Sequence, residues 1–139
     1  MQIVALIIGI LVAIVVIVHF KKTRMESSKF AYAILLITFP FYYFAFAIYG
    51  NDYKALTLEF IAGLLFFILG SLAIKLSDFF KFSVLAFGYI VHAVYDVTHD
   101  MLFLNAGTPD WWPEFCGAVD LLIGVYLVNL AFKCRIRLA

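Results

Sequence analysis

Five long apolar runs, separated by short polar segments, make up most of the chain. They extend over about residues 3–20, 30–49, 55–76, 82–104 and 112–132. Each run is close to the roughly 20 residues that a helix needs to cross the hydrocarbon core of a bilayer. Because the connections are short, we expect consecutive helices to be antiparallel neighbours in one transmembrane domain over residues 1–139. The pattern predicts an all-α, integral membrane bundle of five transmembrane helices.

The composition excludes most other classes of protein. Hydrophobic residues make up 66% of the 139 residues and charged residues only 14%, whereas soluble domains are about half apolar and about a quarter charged. A chain this small cannot bury so much apolar surface in a water-soluble core. Disordered segments are polar and poor in aromatic residues, so disorder is excluded as well. The net charge of +1, with no basic face, excludes a nucleic-acid partner.

Positive charges alternate between the connections and so predict the orientation. The first connection, the third connection and the C-terminal end carry Lys21, Lys22, Arg24, Lys29, Lys75, Lys81, Lys133, Arg135 and Arg137. The second connection has only Lys54, and the fourth has no Lys or Arg. The positive-inside rule therefore predicts an outer N-terminus and a cytoplasmic C-terminus. No positive segment precedes the first run and no A-x-A-like cleavage site follows it, so we expect it to be retained as a membrane span.

The fourth run contains the sequence His92-x-x-x-Asp96-x-x-His99-Asp100. Spacings of four and three place the first three residues on one stripe of a helix. Each ionisable residue at the centre of a membrane helix costs about 2.5–3.5 kcal/mol on insertion scales, so such residues face the bundle interior. The pattern favours a functional site over the alternative, a hydrogen-bonded network that only joins helices.

The fifth run adds a carboxylate at a similar depth. Asp120 and Asp96 each lie about 12 Å below the outer ends of their helices, so we expect them to face each other. Two adjacent carboxylates need a shared proton or a cation between them, and a histidine, Lys54 or a metal ion is available. Imidazole and carboxylate ligands suit Zn, Mn or Fe. The predicted metal ligands are His92, Asp96, His99 and Asp120, with Cys116 and Glu114 as weaker candidates.

Other polar and small residues allow two interpretations each. Glu59 and Asp100 are candidate proton acceptors, but Glu59 could instead stabilise the N-terminus of its own helix. Cys116 could be a ligand or a small buried packing residue. Two glycine pairs with seven-residue spacing indicate close helix contacts, and they are Gly63 with Gly70 and Gly117 with Gly124. An aromatic run from Phe39 to Tyr49 could line a lipid pocket or pack around Pro40.

The last third of the chain resembles a known family. The residues that carry the resemblance are the stretch His92 to Asp100, the segment Pro109-Asp110-Trp111-Trp112-Pro113, the pair Phe115-Cys116, and Asp120. Together they resemble small multi-pass bacterial inner-membrane proteins of unknown function, over about residues 92–126. The resemblance implies a bacterial inner membrane and marks His92, Asp96, His99, Cys116 and Asp120 as signature positions. Asp100 departs from a second histidine of that pattern, so no exact number of ligands is implied.

These observations support several functions. The first is an outward-facing intramembrane site that binds a divalent metal and acts on a lipid or amphiphile, as a metal-dependent hydrolase or oxidoreductase if the protein is an enzyme. The second is a proton or ion relay or a small transporter, although the inner halves of the helices offer only Asn129, Ser71 and Ser83 as a polar path. The third is an accessory subunit of another membrane protein, and a homo-oligomer is compatible with each function.

Overall fold

A computed structural model describes residues 2–138 of the chain, with side chains as far as Ile136; the side chain of Arg137 lies outside this set. The long helices are α1 (Ile3–Lys22), α2 (Ala31–Tyr49), α3 (Tyr53–Ala73), α4 (Asp78–Leu102) and α5 (Trp112–Leu138). A short 3-10 turn, Met25–Ser27, lies between α1 and α2, and the described residues contain no strand. All five helices are long and apolar enough to cross a membrane. This confirms the predicted all-α fold with five helices able to span a membrane, and it supports a multi-pass membrane protein.

The helix ends differ from the predicted ends by several residues. Helix α3 begins two residues early because the Asp52 side chain accepts a hydrogen bond from the Ala55 amide at 2.9 Å and caps the helix. Helix α4 begins at Asp78, before the apolar run, and α5 continues beyond it. Hydropathy marks the part of a helix that suits the hydrocarbon core, whereas the helix itself can continue into the polar interface.

Helix α4 occupies the middle of the bundle and packs against α2, α3 and α5. The expectation that consecutive helices are neighbours is wrong for α1, which packs mainly against α5. Its buried residues are Ala5, Gly9 and Ala13, one small residue per turn. A Cβ atom added to Gly9 would lie 2.4 Å from the Phe115 carbonyl oxygen. Small residues allow two membrane helices to approach this closely. The small buried face of α1 therefore suits its close packing against α5.

The predicted glycine contacts occur between neighbouring helices. A Cβ atom added to Gly63 would lie 2.9 Å from Cβ of Pro40, and one added to Gly124 would lie 2.8 Å from Cγ1 of Ile90. The first contact joins α3 to α2, and the second joins α5 to α4. The prediction of close helix contacts is confirmed for Gly63, Gly70 and Gly124, whereas a Cβ atom on Gly117 would meet its nearest neighbour at an ordinary 3.6 Å.

The connection between α4 and α5 folds back over the end of α2. A Cβ atom added to Gly107 would lie 1.8 Å from the Phe46 carbonyl oxygen, so only glycine fits this contact. At the same end of the bundle, the Gln2 amide donates a hydrogen bond to Glu114 Oε1 at 3.1 Å. The close approach at Gly107 brings Asn105, on the same connection, over the buried polar residues of the bundle.

Candidate metal centre and its polar surroundings

The buried stripe of α4 carries polar side chains toward one end of the bundle. His92, Asp96 and His99 have exposed fractions of 1%, 0% and 0%. They continue the line of apolar residues Leu85 and Tyr89, which are also buried. The prediction that the three polar residues face the interior is therefore confirmed.

Three residues from α4 and α5 converge at one point. His92 Nδ1 lies 2.7 Å from Asp120 Oδ2 and 3.3 Å from Asp96 Oδ2. One ligand atom from each residue lies within 4.8 Å of the other two. Asp96 and Asp120 thus face each other across the hairpin of α4 and α5, as predicted. These three residues are called the His92 group below, and they could hold a metal ion.

The His92 group has two ligand atoms without partners and two carboxylates that face each other. His92 Nε2 and Asp120 Oδ1 have no hydrogen-bond partner, whereas Asp120 Oδ2 is paired with His92 Nδ1. A buried polar atom without a partner costs about 1–3 kcal/mol. If both carboxylates are ionised, they carry one negative charge more than a protonated imidazole can balance, and a shared proton or a bound cation would compensate it. No Lys or Arg of the described residues pairs with the group. Lys54, which the sequence offered as a counter-charge, is exposed.

Aromatic side chains enclose the His92 group. The Tyr43 hydroxyl on α2 donates a hydrogen bond to Asp96 Oδ1 at 2.8 Å. The Phe66 ring from α3 packs edge-on against the His92 ring with centroids 4.4 Å apart, and Phe39 lies 5.2 Å away. Hydrogen bonds to ligating carboxylates orient them, and an apolar shell strengthens electrostatic interactions inside it.

A second polar group surrounds Glu59 of α3. Its Oε1 lies 2.7 Å from His99 Nε2 and accepts a hydrogen bond from Asn105 Nδ2 at 2.8 Å. Its Oε2 accepts a hydrogen bond from the Tyr95 hydroxyl at 2.6 Å. We call these four residues the Glu59 group. With an exposed fraction of 2%, Glu59 is bound to three side chains, so the alternative of a carboxylate that only stabilises its helix N-terminus does not describe it.

The predicted ligand set is divided between the two groups. The structure brings His92, Asp96 and Asp120 together and places His99 against Glu59. Tyr43 joins the two groups, because its hydroxyl binds Asp96 while its ring stacks on His99 at 4.6 Å. The spacing of α4 alone could not distinguish these partners, since His92 and His99 lie on the same stripe.

The remaining candidates lie around these groups. Asp100, a predicted proton acceptor, contacts His99 Nδ1 at 3.3 Å, and its side chain is 71% exposed. Cys116 is buried beside Tyr43 and Trp112, and its thiol lies within hydrogen-bond reach of Asp96 at the edge of the His92 group. Glu114 is half-buried and accepts the hydrogen bond from Gln2.

Sequence reasoning missed the residues that link the groups, which are Tyr43, Tyr95 and Asn105. Tyr43 lies within the aromatic run and Tyr95 within the α4 motif. The sequence patterns therefore included both positions but did not indicate what their hydroxyl groups bind. Asn105 lies in a connection and has no pattern that marks it. Its Nδ2 also donates to the Tyr43 carbonyl oxygen at 3.2 Å, a contact that depends on how the connection folds.

Comparisons of this chain with known protein families, curated proteins and solved structures find no significant match. The similarity of residues 92–126 to small bacterial inner-membrane proteins therefore stays a prediction.

Proposed function

We propose that this multi-pass membrane protein binds a divalent transition metal in the His92 group. The observation that carries the proposal is the convergence of one imidazole and two carboxylates, fully buried, with unused ligand atoms and no cationic partner among the described residues. A nitrogen and oxygen ligand set suits Zn, Mn or Fe. When bound, the metal would supply Lewis acidity and lower the pKa of a bound water.

The chain's own residues would hold such an ion rigidly. Tyr43 fixes one oxygen of Asp96, and Phe66 and Phe39 fix the plane of the His92 ring. Together they keep the ligand atoms in place and exclude water. The positive-inside rule predicts that this end of the bundle lies at the outer side of the membrane. An action on a lipid or amphiphile stays a prediction.

Elemental analysis of two matched histidine variants tests the metal proposal. Protein purified in mild detergent without chelator, or reloaded with Zn, Mn or Fe(II), should contain close to one metal ion per chain. His92→Gln should lose the metal because it removes the only imidazole of the group. His99→Gln, equally buried on the same helix but bound to Glu59, should keep it.

Two results would count against the metal site in this experiment. Wild-type protein that stays free of metal after reloading would contradict the proposal directly. Equal loss of metal from both histidine variants, each shown to be folded by gel filtration, would indicate that His99 is also a metal ligand.

A second candidate function, a proton relay, is favoured by a row of tyrosines in the other half of the bundle. The Tyr89 hydroxyl donates to the Tyr32 carbonyl oxygen at 2.9 Å, and Tyr89 lies about one helical turn before His92 on the buried stripe of α4. The buried Tyr32 hydroxyl has no partner, and Tyr126 donates a hydrogen bond to Glu26. These tyrosines add hydroxyl groups to the half of the bundle in which the sequence offered only Asn129, Ser71 and Ser83 as polar residues.

Proton flux into liposomes tests this second candidate. Reconstituted protein should carry protons faster than empty liposomes under an applied potential, as read by an enclosed pH-sensitive dye. Tyr32→Phe should reduce the flux about tenfold because it removes the central hydroxyl, an effect equivalent to about 1.4 kcal/mol. Tyr42→Phe, on an exposed face of α2, is the matched control and should not change it. Wild-type flux equal to that of empty liposomes would rule the relay out.

A further inference from the structure

A polar cavity of about 240 Å³ lies at the end of the bundle where α1 and α5 end and α4 begins. We propose that it binds the phosphate headgroup of an anionic lipid. The charged and hydroxyl-bearing side chains that carry the argument are Lys21, Glu26, Asp78, Lys81, Tyr126 and Lys133. This cavity is separate from the His92 group, so the proposal does not depend on the metal site.

Lys81 is the central observation, because it is buried although it lies in the first turn of α4. Its exposed fraction is 1%, whereas a lysine near a helix end normally extends its ammonium group to water. Its Nζ donates one hydrogen bond, to Asp78 Oδ1 at 2.8 Å, and lies 4.3 Å from the centroid of the Phe82 ring. An ammonium group has three donors. Among the described residues the other two have no hydrogen-bond partner, and Lys81 lines the cavity.

The two acids at the cavity are already bound within the protein. Glu26 accepts a hydrogen bond from the Tyr126 hydroxyl, and Asp78 accepts the one from Lys81. Lys21 and Lys133 are exposed, and neither forms an ion pair with a described residue. Three ammonium groups against two carboxylates leave one positive charge, which favours an anion.

The size and position of the cavity favour a lipid phosphate over a larger anion. Its volume is about eight times the roughly 30 Å³ that a water molecule occupies in the liquid, which is room for a phosphate group and a few waters. Phe82 and Leu130 form apolar parts of its wall, beside helices that are apolar enough to cross a membrane. Basic pockets between transmembrane helices on the cytoplasmic side bind lipid headgroups. The positive-inside rule predicts that side for this end.

Native mass spectrometry of the purified protein with three probes tests the proposal. The probes are phosphatidic acid, phosphatidylcholine with the same acyl chains, and glycerol 3-phosphate, the soluble headgroup. Phosphatidic acid should bind at least about tenfold more tightly than phosphatidylcholine. Lys21→Gln and Lys133→Gln should each weaken its binding about fivefold, since a lysine near the membrane contributes about 1 kcal/mol. These exposed positions are chosen because replacing the buried Lys81 could disturb folding.

Lys75→Gln is the matched control, since Lys75 is an exposed lysine of the same end of the bundle that does not line the cavity. It should leave the binding of phosphatidic acid unchanged. Glycerol 3-phosphate that binds as tightly as phosphatidic acid would overturn the lipid as the source and identify a soluble phosphate site. Equal binding of the two lipids, or an equal loss in Lys75→Gln and Lys133→Gln, would overturn the site itself.

Discussion

Asp120→Asn should be at least as stable as the wild type without metal, and less stable than the wild type when a divalent metal is added. In chelator, the wild type buries two facing carboxylates. Asparagine removes their repulsion and keeps an oxygen that can stay beside His92 Nδ1, so the stability of the variant should be equal or higher. With metal at a thousandfold its Kd, the wild type should gain about 4 kcal/mol. The variant, with a ligand removed, should gain little.

Thermal unfolding followed by tryptophan fluorescence in mild detergent would measure this reversal. The wild-type Tm should rise on addition of Mn or Zn, and the Asp120→Asn Tm should stay close to its value in chelator. Asp100→Asn is the control, because Asp100 is largely exposed and contacts only His99; its Tm should rise with the wild type. If the metal raises the Tm of the wild type and Asp120→Asn equally, the ion binds elsewhere.

Glu59→Leu should lower the free energy of unfolding by about 3–5 kcal/mol, the cost typical of removing one partner of a buried charged pair. The substitution leaves the Tyr95 hydroxyl, His99 Nε2 and Asn105 Nδ2 without their shared acceptor. His99 and Asn105 are buried and Tyr95 is half-buried, so water could replace the carboxylate only in part. Glu59→Gln keeps one acceptor oxygen and should cost less.

Thr57→Leu provides the matched control for the same unfolding measurement. Thr57 lies two residues away on α3, and its side chain is exposed, on a face that would meet lipid. Its hydroxyl binds only the Tyr53 carbonyl oxygen of its own helix. The control should therefore unfold like the wild type. A Glu59→Leu protein as stable as Thr57→Leu would show that the Glu59 group adds nothing to stability.

The five candidate membrane spans could be predicted from the sequence, because they follow from the lengths of the apolar runs alone. A run such as residues 3–20 matches the thickness of a bilayer whatever it packs against. The buried stripe of α4 was equally accessible, since spacings of three and four place His92, Asp96 and His99 on one face of any helix. The meeting of Asp96 with Asp120 followed from their equal depth in an antiparallel hairpin.

The tertiary structure decided which of these residues share a site. His92 and His99 have the same spacing pattern, yet one faces Asp120 on α5 and the other Glu59 on α3. Their partners depend on the helices that flank α4. The hydropathy of a segment does not indicate which other helices it packs against. The packing of α1 against α5 rather than α2 was missed for the same reason.

Asn105 is the clearest example of a site residue that sequence periodicity could not predict. Its amide reaches Glu59 and the Tyr43 carbonyl oxygen only because the connection after α4 closes over α2 at Gly107, where a side chain would collide with the Phe46 carbonyl oxygen. Periodicity describes regular helices and holds no information about such a connection. The sequence by itself therefore determined the five spans and the buried polar stripe, since both follow from local pattern. The separation into the His92 and Glu59 groups required the packed chain, because it depends on contacts between residues far apart in sequence.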